Sequence, residues 1–187
     1  VFTKISGLPE NQIMGSGTIL DTARLRYGLS EHFKVAQGNI HAYVFGEHGD
    51  TSFIPWTGAY ISGLSTDEYY EEMKAHGKDV KPLDKEAMLE YVQKSGGKVI
   101  AKKGATFYAV SATVCQLVGL ILAASDSLAT VSSMLHGEYG IEDVCLSTLT
   151  LVGPNGIQGK VQMRMNKEEV ALLKKSADAL KEVCLLY

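Results

Sequence analysis

Ile19-Leu20-Asp21-Thr22-Ala23-Arg24-Leu25-Arg26-Tyr27-Gly28-Leu29-Ser30-Glu31-His32-Phe33 is the run of sequence that most constrains the fold. Leu20, Ala23, Tyr27 and Leu29 recur at helix-like spacing, and Thr18 or Ser16 stands ready to cap the first free amides, so a helix is predicted over 19–33. Val35 and the segment 39–45 read as a strand, which runs into Gly46-Glu47-His48-Gly49-Asp50, a loop with two glycines. A second short strand through Phe53-Ile54-Pro55-Trp56 returns antiparallel, because so short a link cannot make a parallel crossover.

Outward from this unit, Gly7-Leu8-Pro9-Glu10-Asn11 is a turn cluster that separates a short apolar lead-in from Gln12-Ile13-Met14-Gly15. On the other side, 65–75 reads as a short helix with a Ser start and an acidic first turn. The polar stretch 77–82 is a loop, and 84–103 a long amphipathic helix in which Gly96-Gly97 is a weak point. Segment 106–128 is more uniformly apolar and rich in small residues, which predicts a buried central helix, with Tyr108 and the stripe from Val110 to Leu122 in the core alongside Trp56. Three strand-like runs, 129–135, 144–151 and 157–165, are separated by turns at 137–140 and at Gly153-Pro154-Asn155-Gly156, the pattern of a meander. The closing helix, 166–185, carries Glu168 and Glu169 early and Lys174, Lys175 and Lys181 later, which matches its dipole. Helices and antiparallel strands in blocks predict a single α+β domain over 1–187. No Gly-x-Gly-x-x-Gly follows a strand, and Gly15-Ser16-Gly17 is too short to stand in, so a Rossmann dinucleotide-binding fold is not expected in this chain.

Composition removes several classes of function. With 187 residues the chain can bury one core, and 45% apolar against 21% charged residues is ordinary for a globular protein. A formal net charge of -3 offers no basic footprint, so nucleic acid is not an expected partner. The longest apolar run, 109–124, is broken by Ser111, Thr113, Gln116 and Gly119, and no membrane span is expected. Cys115, Cys145 and Cys184 are odd in number and set among apolar residues, the mark of buried free thiols in a reducing cytoplasm, and their spacing suits no metal site. Val1-Phe2-Thr3-Lys4-Ile5-Ser6 has neither a starting Met nor the features of a signal peptide, so the chain is expected to be a piece of a longer one.

His48 is the first candidate for chemistry. Its small neighbours Gly46 and Gly49 would let a ligand approach, and a histidine titrates near neutral pH; a plain polar turn accounts for the same letters. Asp21 and Arg24 are three apart and share a helix face. They are either a solvated pair in a first helical turn or two charges turned toward a cleft. In the cleft, Arg24 could grip a carboxylate with its forked guanidinium, and Asp21 could fix the tautomer of His48 and raise its pKa. His32, His76 and His136 have no partner at useful spacing and read as surface or structural. Glu71-Glu72 and Lys102-Lys103 read as solvated helix faces.

Leu20-Asp21-x-Ala23-Arg24 followed by Gly46-Glu47-His48-Gly49-Asp50, with His48 27 positions after Asp21, resembles the C-terminal domain of lactate and malate dehydrogenases. Lys103-Gly104-Ala105-Thr106, Tyr139-Gly140 and the final helix extend the likeness over essentially the whole chain. The resemblance implies the family's C-terminal α+β fold and the catalytic half of an NAD-dependent L-lactate dehydrogenase, interconverting pyruvate and L-lactate. It implies His48 as proton donor and acceptor, Asp21 as its partner, Arg24 as the substrate carboxylate anchor and Thr106 in the substrate pocket. Ser16 and Val110 would touch the nicotinamide end of NAD, most of which the missing N-terminal domain would hold. Gly-Glu-His-Gly-Asp-Thr with Pro55-Trp56 looks more like lactate than malate enzymes. Arg26, two places after Arg24, and His41, seven before His48, match the positions that bind fructose 1,6-bisphosphate in activated bacterial lactate dehydrogenases; a solvated arginine and a strand-edge histidine are the plain alternative. That match implies a homotetrameric, allosteric, cytoplasmic enzyme. A malate or other 2-hydroxy acid dehydrogenase, and a non-catalytic oligomerisation module, are the competing readings.

Overall fold

A computed structural model describes residues 2–184. The helices are α1 (Phe2–Ile5), α2 (Ile19–Phe33), α3 (Thr66–Ala75), α4 (Lys85–Lys103), α5 (Tyr108–Leu122) and α6 (Lys167–Cys184). The strands are β1 (Ile40–His41), β2 (Tyr60–Ile61), β3 (Leu64–Ser65), β4 (Ser127–Ala129), β5 (Ser132–His136), β6 (Glu142–Ser147), β7 (Thr150–Gly153) and β8 (Gly156–Lys160). They form three small antiparallel sheets, ordered β1-β2-β3, β4-β7-β8 and β5-β6. This is the expected α+β arrangement.

Local signals set several boundaries. Helix α2 spans the predicted residues, and α3 begins with a reciprocal capping box between Ser65 and Glu68. Asp84 caps α4 by accepting from the amide of Ala87, and Gly104 closes it in the left-handed conformation. The buried face of α2 is Ile19, Thr22, Leu25, Leu29 and Phe33 rather than the row through Ala23 and Tyr27, both of which are exposed. Leu25, Leu29 and Phe33 meet Val92 of α4 and Ile40, Ile54 and Ile61 in one core. A second core packs Leu173 and Ala177 of α6 on Leu135, Val144 and Leu146, with Phe45 and Phe53 beside them.

Several expectations are corrected. The predicted meander is divided between two sheets: β4 pairs with β7 and β5 with β6. The run 129–135 breaks because the segment before α2 takes up its backbone groups, with Gly15 and Ser132 exchanging both hydrogen bonds and the Thr18 amide donating to Thr130. Next, the strand over 39–45 is regular only at β1, whose partner is β2. Phe45 does pair antiparallel with Phe53, but Pro55 and Trp56 lead into a 3₁₀ turn at Trp56–Gly58.

The third correction concerns α5, which is not a buried central helix. It ends at Leu122, and only Thr113 and Leu117 are buried; one side rests on Ile19, Ala129, Val131 and Val152, while Tyr108, Val110, Val114, Val118 and Leu122 are exposed. The apolar composition all round the helix therefore exceeds what this domain covers. Cys115 on α5 and Cys184 at the end of α6 are exposed and Cys145 is half-buried, so the thiols are free but not buried as expected. Finally, α6 begins at Lys167, and the expected last position, 185, lies outside the described residues. Among the described residues no helix is long and apolar enough to cross a membrane.

Candidate active site

Two threonines one turn apart seat the site. The hydroxyl of Thr18, at the start of α2, donates to the carbonyl of Val44 instead of capping the helix, and Thr22 Oγ1 accepts from the Val44 amide at 3.0 Å. Both hydroxyls are buried, so the bonds are shielded from water. They clamp residue 44 to the first turns of α2 and bring the loop at 46–50 over Asp21.

His48 Nδ1 lies 2.6 Å from Asp21 Oδ2, and Arg24 Nη1 donates to Asp21 Oδ1 at 3.0 Å. The Asp21 side chain is 6% exposed, Arg24 16% and His48 62%, so a buried carboxylate is flanked by a covered guanidinium and an imidazole open to solvent. The Asp21 hydrogen bond raises the His48 pKa above the ordinary value; burial and the Arg24 charge oppose this, and the charges of Asp21 and Glu47 assist it. With Nδ1 engaged, Nε2 is the ring nitrogen left for a ligand.

All three residues border a hollow of about 320 Å³ that Thr106 and Val110 also line. The sequence expectations for Asp21, Arg24, His48, Thr106 and Val110 thus converge on one place. Ser16 is not on that wall; its carbonyl accepts from the Ile19 amide. Arg26 is two residues past Arg24, roughly 200° around the helix. Its Nε donates to the Ala42 carbonyl at 3.0 Å and its guanidinium lies 5.0 Å from the centre of the Tyr43 ring, while His41 is exposed on β1. Arg26 and His41 are therefore apart from the hollow.

Helix α4 supplies what sequence reasoning missed. Gln93 Nε2 donates to the carbonyls of Asp50 and Ser52 at 3.2 and 2.9 Å, holding the far end of the histidine loop. Gly96, Gly97 and Ile100 line the same hollow, and a Cβ at Gly96 would come within 4.0 Å of Arg24 Nη2. The glycine pair read as a weak point is the wall facing the arginine. That two glycines fall three and four places after Gln93, hence on one helix face, was the available signal.

The other histidines are less solitary than their spacing suggested. His136 Nε2 sits 2.5 Å from Glu10 Oε1, which raises its pKa, His32 Nε2 is 2.9 Å from the Lys81 carbonyl, and His76 lies 3.9 Å from Glu72. Partners 126 and 49 positions away are invisible to local pattern. Among the described residues no group of three or more His, Cys, Asp or Glu is placed to hold a metal ion.

An α+β domain whose glycine-flanked histidine and paired carboxylate share a hollow with an arginine is of the dehydrogenase C-terminal type. The chain belongs to the lactate/malate dehydrogenase family: the model of its alpha/beta C-terminal domain matches residues 18–184. It is 46% identical over 180 residues to an L-lactate dehydrogenase of Acetivibrio thermocellus, covering 96% of this chain and 56% of that protein. L-lactate dehydrogenase 1 of Clostridium acetobutylicum is 43% identical over 179 residues, again covering 96% and 56%. Among solved structures, an L-lactate dehydrogenase from Clostridium thermocellum superposes with a TM-score of 0.86 at 36% identity, covering 97% of this chain and 58% of that one. The minor L-lactate dehydrogenase from Enterococcus mundtii gives a TM-score of 0.88 at 30% identity, covering 97% and 56%. The chain spans a little over half the length of the relatives it matches.

Proposed function

We propose that this chain is the single-domain catalytic half of an NAD-dependent L-lactate dehydrogenase, with a separate N-terminal domain holding most of the cofactor. The observation that carries the reading is the sharing of Asp21 between His48 and Arg24 at the edge of one hollow. Arg24 binds the carboxylate of a 2-keto acid through its forked donors, which fixes the carbonyl carbon with respect to one face. His48, held protonated by Asp21, gives the proton on Nε2 to the ketone oxygen; in the reverse direction it takes the hydroxyl proton back. The Asp21 carboxylate, 2.6 Å from Nδ1, balances the imidazolium. Thr106 closes the substrate side of the hollow.

NAD, when bound, supplies or accepts the hydride at the substrate carbon. The exposed apolar side chains of Val110 and Ile100 at the hollow suit an aromatic ring face, and Ser16, ahead of α2 and off the wall of the hollow, serves as a polar contact for the nicotinamide end of the cofactor. The exposed stripe of α5 begins at Val110, where the proposed N-terminal domain would cover it. Pyruvate and lactate are preferred over oxaloacetate and malate because of the Gly46–Thr51 and Pro55-Trp56 sequences, and the L-lactate dehydrogenase names of the relatives agree. Arg26 and His41 form a fructose 1,6-bisphosphate contact in a cytoplasmic homotetramer.

Steady-state assays of the full-length enzyme with pyruvate, oxaloacetate and branched 2-keto acids test this. Preference for pyruvate, with a loss of about 10²- to 10⁴-fold in kcat on His48→Asn, is expected. Preference for oxaloacetate, or indifference to His48→Asn, overturns it. The isolated 187 residues do not oxidise NADH, and turnover by a pure sample would contradict the assignment of the cofactor to another domain.

A further inference from the structure

Both stems of the histidine loop end on a single buried hydroxyl. Ser176 on α6 is fully buried, and its Oγ accepts the amide of Glu47 at 2.8 Å and lies 3.0 Å from Thr51 Oγ1. The Thr51 hydroxyl donates to Glu47 Oε1 at 3.0 Å, so its proton is committed and Ser176 must donate in the remaining bond. The Thr51 amide donates to the same Glu47 oxygen at 3.1 Å. Each of these polar groups is answered by another, and His48 stands at the tip between residues 47 and 51.

The backbone is shaped for this contact. Gly46 has φ +96°, and a Cβ there would meet Ser176 Oγ at 2.7 Å. A larger residue at 46 would push the loop off α6. Gln93 holds the opposite flank from α4, so the loop is fastened on two sides while the imidazole stays open.

We infer that Ser176 is a positioning residue for His48: it locks residues 47 and 51 so that Nδ1 meets Asp21 at hydrogen-bonding distance. The inference rests on the reading of His48 as the acid and base. Ser176 does not line the hollow and acts only through the loop. A loop without this anchor samples orientations in which the imidazole leaves the carboxylate, and the raised affinity of His48 for a proton is lost with it. The groups that set that affinity are Asp21 and Arg24 from α2 and Glu47 from the loop itself.

The test is an NMR titration of the histidine ring protons in this chain and in Ser176→Ala, Thr51→Val and the double variant, with amide exchange of Glu47 read alongside. In the parent, His48 titrates above the ordinary histidine value. In Ser176→Ala its midpoint falls toward that value, while His136, raised by Glu10 on a different part of the surface, keeps its midpoint and reports that the fold is intact. Exchange of the Glu47 amide accelerates about tenfold or more, the consequence of losing one net hydrogen bond. Thr51→Val lowers the His48 midpoint as well, and the double variant adds little to Ser176→Ala, since both cut one network. An unchanged His48 midpoint in Ser176→Ala with faster Glu47 exchange overturns the positioning role. Should Ser176→Ala unfold and both histidines become ordinary, Thr51→Val decides, and an unchanged His48 midpoint there likewise overturns it. A parent His48 that titrates at the ordinary value sinks the acid–base reading instead, which separates the two failures.

Discussion

Asp21 Oδ2 lies 2.6 Å from His48 Nδ1, although one residue is on α2 and the other on a loop that the chain reaches 27 residues later. The carboxylate is buried and its second oxygen accepts from Arg24, so the negative charge is held in place by a group that never gives up its own proton.

This pair makes stability depend on pH in a defined sense. The folded-state pKa of His48 is raised above 6.5, so its contribution is fully present below that value and is lost as pH rises through the higher folded-state midpoint. Because solvent reaches 62% of the imidazole, the contribution is at most about 1 kcal/mol. His136 titrates with the same sign through Glu10, so the wild type must be compared with Asp21→Asn, in which the His136 part cancels. Thermal unfolding from pH 5.5 to 8.5 should show the advantage of wild type over Asp21→Asn shrinking as pH rises; a constant difference would mean that His48 and Asp21 are not coupled.

Arg24→Lys is not conservative here. Lysine keeps the charge but presents a point donor where arginine presents a planar fork. Under the proposed function, KM for pyruvate in the full-length protein should rise by about 10- to 100-fold, the equivalent of one charge-assisted hydrogen bond. The His48 midpoint in this chain should move little, because the same charge still faces Asp21. A KM within twofold of wild type would remove Arg24 from substrate binding.

Local chemistry explains which parts of the fold were legible. Helices α3 and α4 were readable because their ends are marked by residues next to them in sequence, Ser65 with Glu68 for one and Asp84 and Gly104 for the other, whereas α2 was read from the spacing of its apolar residues. Asp21, Arg24 and His48 each had a plain alternative when read from their own letters, and it was the resemblance of their joint motif to the C-terminal domain of lactate and malate dehydrogenases that singled them out. The sheets were not, since β4 and β5 are separated by backbone bonds from Gly15 and Thr18, more than a hundred residues away. Thr18 gave the wrong signal for a related reason: a threonine before a helix suggests a cap, yet its hydroxyl donates to the distant backbone carbonyl of Val44 and accepts from no helix amide. Ser176 carries no local signature, and only its contacts with the loop reveal it, while for Gln93 the one sequence hint is the pair of glycines on its helix face. The apolar letters of α5 were read correctly as seeking burial and wrongly as finding it within this domain.

That exposed stripe should govern how the isolated chain behaves in solution. Val110, Val114, Val118 and Leu122 follow one another every fourth residue along α5, with Cys115 beside them. Sedimentation should reveal reversible, concentration-dependent self-association, which Val114→Glu with Val118→Glu abolishes. Neither side chain is buried, so the unfolding free energy of the monomer should change by no more than about 0.5 kcal/mol for each substitution. Association that persists in the double variant would place the sticky surface elsewhere.

Gly17→Ala should be among the most damaging single changes, and for two separable reasons. Gly17 has φ +52°, which an L side chain tolerates poorly, and a Cβ there would lie 2.5 Å from Ser147 Oγ, 2.6 Å from the Ser132 nitrogen and 2.8 Å from the Thr130 oxygen. The last two are backbone atoms fixed by their own bonds to Gly15 and Thr18, so they cannot yield without moving the start of α2. Strain and overpacking together should cost about 3 kcal/mol or more, lowering Tm by roughly 6–12 °C. Gly17→Asn separates the causes: asparagine accepts a left-handed backbone but keeps the Cβ, so crowding predicts that it is nearly as harmful as alanine, whereas strain alone predicts recovery. Ser147→Ala, by contrast, removes a buried hydroxyl that has no hydrogen-bond partner among the described residues and should cost little. Because Asp21 is one turn beyond Gly17, any Gly17 variant that still folds should also lower the His48 midpoint, and a damaged but folded variant with an unaltered His48 titration would show that the start of α2 does not set the geometry of the pair.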